Sequence, residues 1–384
     1  MFSKQDNKPP SGYVRIVAGA LLLGVAFVPQ ISPAATVNEL VAKAKQEGVL
    51  NATVTSSLTG KTTQQLAAAF KKRFGLDIEI TLTPVGDTEN YPKAIAETRT
   101  GVVPTYDAME GSETHNLALM RVGGIQKIDD WESLAGGINS YVRSGKAHAD
   151  QLSPAVLNGF AFAYLTRIKA LIYNPRLISI KDLPRTHAEL ADPKYKGKWT
   201  QPPWTTHWEP GPMVFPDIGK EKWLEIVRNA GKNAGTVLPE NPGVQRVLLG
   251  EYAFTPANTY YAFQAKAKDP QAPIEITYFK DYNLMTSSYY IVRKGARRPA
   301  GATLFSFWMA TPEAKAIWQP AIFVTQFMWG ESELDKKVRQ LIHDSGAKLV
   351  DFISTEKGRD LLAWYGTEEG VKYTQSMGKA IRGE

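Results

Sequence analysis

Hydroxyl, aromatic and carboxylate side chains gather in a few short stretches of this sequence, and their spacing bounds the chemistry open to it. Thr55-Ser56-Ser57-Leu58-Thr59-Gly60-Lys61-Thr62 ends in the Gly-Lys-Thr of a phosphate-binding loop, but Thr55 stands where that loop needs its first glycine. What remains is a hydroxyl-rich turn before a helix. It can cap that helix, or hold an anion between hydroxyls and N-terminal amides, or do both. Catalytic signatures are missing: the chain has neither a G-x-S-x-G elbow nor an H-E-x-x-H helix. Asp129-Asp130 and Glu368-Glu369 read as solvated like charges, and His115, His148, His187 and His343 as ordinary surface or core histidines. The 384 residues include no cysteine, which excludes thiol nucleophiles, zinc–thiolate sites, disulfides and an acylated-cysteine anchor. A secreted hydrolase is therefore the weaker alternative to a binding protein, and no enzyme activity is expected.

The elements that must carry these loops alternate. Thr36-Val37-Asn38-Glu39 is a capping box that predicts a helix from Val37 to about Glu47, stopped by Gly48. Val49 to Val54 reads as a buried strand. Leu66, Phe70 and Phe74 recur every four residues and predict a helix over Thr62 to Phe74. Ile78, Ile80 and Leu82 alternate as a strand closed by Pro84. Strand, helix and strand within this span make a βαβ unit and a parallel sheet. The pattern continues through a Tyr91–Thr100 helix, a Tyr106–Met109 strand and a helix that Gly111-Ser112-Glu113-Thr114 opens and that runs to about Val122. A second α/β set contains Ala170–Tyr173, a Lys222–Asn229 helix and Val244–Gly250. Tyr289–Val292 and Ala300–Met309 then resume the alternation.

The first 35 residues read as an address. Ile16 to Val28 is apolar or small and uncharged, too short to span a bilayer, and Ser32-Pro33-Ala34-Ala35 offers small residues for cleavage. A cleavable signal peptide over 1–35 and a periplasmic location are expected. That segment carries three of the positive and one of the negative side chains, so the formal charge of +7 falls to +5 without it. The remaining basic clusters are small and lack interleaved aromatics, so nucleic acid is not expected as a partner.

Several stretches together resemble the type 2 periplasmic substrate-binding proteins of ABC importers, within their ferric-iron, polyamine and small-anion branch. They include Phe70-Lys71-Lys72-Arg73-Phe74 with Ile78-Glu79-Ile80, and Tyr173-Asn174-Pro175 followed by Leu183-Pro184. Ala191-Asp192-Pro193-Lys194-Tyr195-Lys196-Gly197-Lys198, Gly250-Glu251-Tyr252, Tyr260-Tyr261 and Thr311-Pro312-Glu313-Ala314 complete the set. The resemblance covers roughly residues 38–318, and the ending after Trp318 departs from the family's pattern. It implies an α/β fold of two lobes with a ligand cleft between them: lobe 1 over 36–158, lobe 2 over 159–279, and a return to lobe 1 with C-terminal helices over 280–384. It implies a monomer that captures a small solute and delivers it to ABC permease subunits in the inner membrane, with no cofactor. A sensor role is equally compatible.

In such a fold the ligand meets loops at strand ends and helix N-termini. Four loops qualify: Ser56, Ser57 and Thr59; Ser112, Glu113 and Thr114; Trp204, Thr205, Thr206 and His207; and Asn258 to Tyr261. The resemblance also implies a second ligand. In ferric-binding relatives an adjacent tyrosine pair supplies two phenolate oxygens to Fe³⁺, and Tyr260 and Tyr261 match that pair. The relatives' first-lobe histidine has no counterpart beside Ser56-Ser57, and Glu113 and His207 are substitutes that no spacing requires. Alternatively one tyrosine packs in the core while the other stacks on an organic ligand. Trp204, His207 and Trp208 are likewise either packing or an aromatic wall. A small anion is expected ahead of Fe³⁺ as the transported ligand, and a polyamine last, because the four loops offer few carboxylates.

Overall fold

The computed structural model describes residues 36–143 and 158–384; the expected signal peptide lies outside the described residues. Helix α1 (Val37–Glu47) begins where the capping box predicts. Thr36 Oγ1 accepts from the Glu39 amide, and Glu39 accepts from the Thr36 amide at 2.8 Å. Strand β1 (Val49–Val54), helix α2 (Lys61–Phe74) and strand β2 (Glu79–Pro84) form the expected βαβ unit, with β1 and β2 parallel and Leu50 opposite Ile80. Helix α3 (Asp87–Thr100) starts four residues earlier than its apolar positions suggest, because Asp87 and Glu89 in its first turn complement the helix dipole. Strand β3 (Ala108–Ser112) and helix α4 (Glu113–Arg121) follow, and then helix α5 (Trp131–Ile138).

Strand β4 (Phe162–Tyr173) is far longer than the Ala170–Tyr173 expected. Beyond it come α6 (Lys220–Asn233), α7 (Glu240–Leu248), β5 (Phe254–Asn258), α8 (Tyr260–Lys268) and β6 (Asn283–Val292). Helices α9 (Pro299–Trp308), α10 (Pro312–Ile322), α11 (Glu333–Ser345), α12 (Glu356–Tyr365) and α13 (Glu368–Ile381) end the chain. A short strand at Thr200–Gln201 ends before Pro202 and Pro203, which cannot donate to a ladder.

The main sheet runs β2-β1-β3-β6-β4-β5. It is parallel among β2, β1 and β3, and antiparallel where β6 meets β3 and β4 and where β4 meets β5. Two large apolar clusters sit at its two ends. The first gathers Leu50, Phe70, Met109, Phe162, Tyr290, Phe305 and Trp308. The second gathers Leu171, Trp199, Trp208, Trp223, Phe254 and Tyr282. Strand β4 belongs to both: Phe162 to Leu165 pack in the first, Leu171 and Tyr173 in the second. Such a strand is a shared beam between two lobes. A third segment joins it, as the Thr166 amide donates to Thr325 O at 2.8 Å and the Phe327 amide to Thr166 Oγ1 at 2.7 Å. The atypical C-terminal region is divided: Trp329, Phe352, Ile353 and Leu362 pack in the first cluster, whereas Met377, Ala380 and Ile381 of α13 are buried in the second, against α6.

Candidate functional site

Between the two ends of the sheet, over strand β4, a cleft of about 390 Å³ is lined from both sides. The β1–α2 turn contributes Thr55, Ser56 and Ser57, and the entry to α3 contributes Val85, Gly86 and Asp87. The opposite wall is Trp204, Pro239, Glu240, Asn241, Asn258, Tyr260 and Tyr261, with Ile322 and Val324 at the side. Arg167 and Lys169 form the floor, and both come from the beam strand β4. Alternation along a strand puts residues two apart on one face. In a strand otherwise buried and largely apolar, these two cations therefore point the same way, between the lobes.

Their charges are not equally spent. Lys169 Nζ donates to Glu240 Oε1, and His207 Nε2 lies 3.4 Å from the same oxygen. Glu240 Oε2 accepts from the Asn258 amide at 2.9 Å and from Asn258 Nδ2 at 2.7 Å. Burial pushes the Glu240 carboxyl up, yet Lys169 and His207 outweigh it and hold the group far below the usual carboxylate range. Burial, then the charge of Lys169, pushes His207 down to about 4, so at neutral pH it is an uncharged imidazole. The lysine is thus neutralised within a closed network. Arg167 is less committed. It donates to Ser288 Oγ, and its nearest carboxylate, Glu110 Oε1, is 3.8 Å away. Burial and the neighbouring Asp87 push Glu110 up to about 7, which weakens even that partner.

Asp87 faces these cations from the first lobe. Its Oδ2 accepts from the Ser112 amide at 3.0 Å and lies 3.4 Å from His115 Nδ1. Burial works against its charge, but the His115 contacts and the Ser112 amide prevail and keep its pKa low. Tyr260 and Tyr261 stand side by side, ring centroids 4.2 Å apart. Burial raises both phenols, and the charge and hydrogen bond of Tyr261 hold the Tyr260 proton further.

Of the residues singled out from sequence, Ser56, Ser57, Trp204, Asn258, Tyr260 and Tyr261 meet in this one cleft. The others do not line it. Thr59 is exposed beyond the turn, where its carbonyl accepts from the Thr62 amide. Ser112 Oγ is engaged by His115 Nδ1 at 2.8 Å and Thr114 Oγ1 at 3.2 Å. Glu113 is buried behind the cleft, accepting from the Ser287 amide at 2.5 Å. Thr205 donates to Glu209 at 2.6 Å, and Thr206 sits in the same short turn. His207 is buried beneath Glu240, and Trp208 is core, donating nothing to the cleft while its carbonyl accepts from Trp223. Sequence reasoning missed Arg167, Lys169, Glu240 and Asp87. A signal for the first two was present: Arg-x-Lys inside a twelve-residue strand has no structural use unless that face is wet or paired. Among the described residues, no group of three or more histidine, aspartate or glutamate side chains could hold a metal ion.

Residues 65–324 match the family of bacterial extracellular solute-binding proteins. No protein of curated function matches the sequence. Solved structures share the fold. Iron-bound HitA from Pseudomonas aeruginosa is 19% identical with a TM-score of 0.60, covering 78% of this chain and 99% of its own. A substrate-binding protein of an ABC transporter from Agrobacterium tumefaciens is 18% identical with a TM-score of 0.63, covering 87% and 94%. AgtB from A. tumefaciens R10, in complex with agropinic acid, is 15% identical with a TM-score of 0.58, covering 85% and 99%.

Proposed function

We infer the function from the premise that this chain belongs to the bacterial extracellular solute-binding protein family. It captures a small anionic solute in the cleft between its lobes and delivers it to the permease subunits of an ABC importer. It acts in the periplasm as a monomer after removal of residues 1–35, and performs no catalysis. Residues 36–158 and the return after 280 form the first lobe and 159–279 the second, with α13 docked on the second. One observation carries the anionic reading: the Arg167 guanidinium, at the floor of the cleft, has one hydrogen bond and a distant, easily protonated carboxylate as its partners. A guanidinium fork matches a carboxylate or phosphate in geometry and charge. Ser56, Ser57, Tyr260 and Tyr261 add hydroxyl donors around it.

The test is a thermal-shift and calorimetry panel of carboxylates, phosphate, phosphonates, ferric citrate and polyamines. A solute at 100 times its Kd stabilises the folded protein by about 2.7 kcal/mol. Arg167→Gln abolishes the shift by every anion while leaving the ligand-free melting temperature near that of the parent. Equal anion binding by Arg167→Gln overturns the reading.

The tyrosine pair favours a second reading, in which the cargo is Fe³⁺ held by Tyr260 and Tyr261, with Asp87 across the cleft. Hard oxygen donors suit that ion. Because burial holds both phenolic protons, loading must release them. Ferric loading then gives a visible tyrosinate-to-iron band that Tyr260→Phe and Tyr261→Phe each remove. A colourless protein after loading excludes this cargo.

A further inference from the structure

The cleft wants more than a negative charge. Asn258 is almost wholly buried on the second-lobe wall, and its Nδ2 donates to Glu240 Oε2 at 2.7 Å. A carboxylate held ionised can only accept, so this bond fixes which end of the amide is which. The Asn258 backbone amide donates to the same oxygen at 2.9 Å, which locks the residue in place. Asn258 Oδ1 is left buried and without a hydrogen-bond partner among the described residues. Buried polar atoms are nearly always paired, and an unpaired one in a residue that lines the cleft leaves an acceptor that a donor on the solute can satisfy.

A second acceptor faces the cleft from the other lobe. Both contacts to Asp87, from the Ser112 amide and from His115, engage Oδ2, and among the described residues Oδ1 accepts no hydrogen bond. Arg167, which feels the field of Asp87, is the complementary donor. The site therefore offers one cationic fork and two acceptors within a cleft of about 390 Å³. A fully deprotonated inorganic oxyanion would satisfy Arg167, leave Asn258 Oδ1 unpaired and be repelled by Asp87. An unsubstituted carboxylate has the same defect.

We propose that the solute is a carboxylate carrying its own hydrogen-bond donors, a hydroxy- or amino-carboxylate, whose carboxylate sits on Arg167 while its O–H or N–H groups reach Asn258 Oδ1 and Asp87. This rests on the anionic reading above and narrows it to a chemical class. An ammonium group gains most, because it also meets the charge of Asp87.

The experiment compares ligands of equal carbon skeleton by calorimetry on the purified protein. The sets are propionate, lactate and alanine; succinate, malate and aspartate; and phenylpropionate, phenyllactate and phenylalanine, with inorganic phosphate alongside. In whichever set fits the cleft, the substituted members bind at least about ten-fold more tightly than the parent acid, since pairing one buried acceptor is worth about a factor of ten. Asn258→Ala shrinks that ratio, whereas Arg167→Gln weakens all members together. Should Asn258→Ala fail to fold, the comparison within sets on the unmodified protein still decides. A parent acid or phosphate that binds as tightly as the substituted acids overturns the proposal and leaves the anionic reading standing. Binding of no anion at all overturns both.

Discussion

A carboxyl group buried with only a weak countercharge is a cost that pH reveals, and Glu113, behind the cleft, is such a group. Burial pushes it up to about 7, against the pull of the hydrogen bond from Ser287. A carboxyl whose folded pKa exceeds its unfolded value contributes stability below the unfolded value and loses it as pH rises through the folded one. The loss for Glu113 therefore falls between about pH 4.5 and about pH 7. Glu113→Gln keeps an oxygen for the Ser287 amide and cannot ionise. Urea unfolding should find this variant equal to the parent at pH 4.5 and more stable by about 3 kcal/mol at pH 7.5. No difference at pH 7.5 would mean the buried carboxyl ionises freely. His207 carries the opposite sign: held down to about 4, it resists the proton that the unfolded chain takes up below about pH 6.5. What takes His207, marked from sequence as a possible ligand, out of that role is its place: it is buried against Glu240 and does not line the cleft. Its ring reads as a loop residue from Trp204-Thr205-Thr206-His207, and only burial beneath Glu240 shows it to be a structural partner.

Among the elements, the docking of α13 on α6 is the least legible in sequence and the easiest to probe. A Cβ at Gly231 would come within 2.4 Å of Ala380 O and 2.6 Å of Ile381 O. Glycine is required there by close approach of two backbones, with no unusual dihedral angle involved. Gly231→Ala should free α13, which limited proteolysis reads as early loss of roughly the last 15–20 residues, about four turns of helix. Met377→Ala, which empties a fully buried site on the same face, should destabilise by about 3 kcal/mol. If Gly231→Ala is cut no faster than the parent, the close packing does not anchor the C-terminus. Local elements were readable where their signals were local. The Thr36–Glu39 capping box and the four-residue repeat of α2 both stand as the sequence predicts. Strand β4 was seen only at its apolar end, because Thr166, Arg167 and Lys169 break the hydrophobic run that marks a buried strand.

For the molecule as a whole, β4, β6 and the Thr325 segment run between the two large clusters, and the α12–α13 connection crosses as well, with Leu362 packed in the first cluster and Met377 in the second. Tyr260 packs partly against the first cluster while its neighbour Tyr261 packs against one in the second half. A solute bridging Arg167, Asn258 and Asp87 would tie both walls to the beam, and closure about such a segment is a hinge motion. Small-angle scattering should show a smaller radius of gyration with a bound solute than without. Unchanged scattering at saturation would mean that the cleft binds without closing. The same comparison on Arg167→Gln should show no contraction at any anion concentration used.

The sequence by itself determined the alternation of helices and strands, the parallel βαβ start and the loops from which Ser56, Ser57, Trp204, Asn258, Tyr260 and Tyr261 reach the cleft. Each of these follows from patterns within a few residues: caps, periodicity, and polar groups at the ends of apolar runs. Which of the marked residues face a ligand was decided only by the tertiary structure. Asp87, Arg167 and Glu240 are far apart in the chain, and their charges acquire meaning from one another. Glu240 cancels Lys169 and leaves Arg167 to the solute; Asn258, bound twice to Glu240, keeps an unpaired side-chain oxygen in the residue that lines the cleft. Electrostatic balance and hydrogen-bond saturation are properties of groups in contact, and no spacing along a chain encodes them directly.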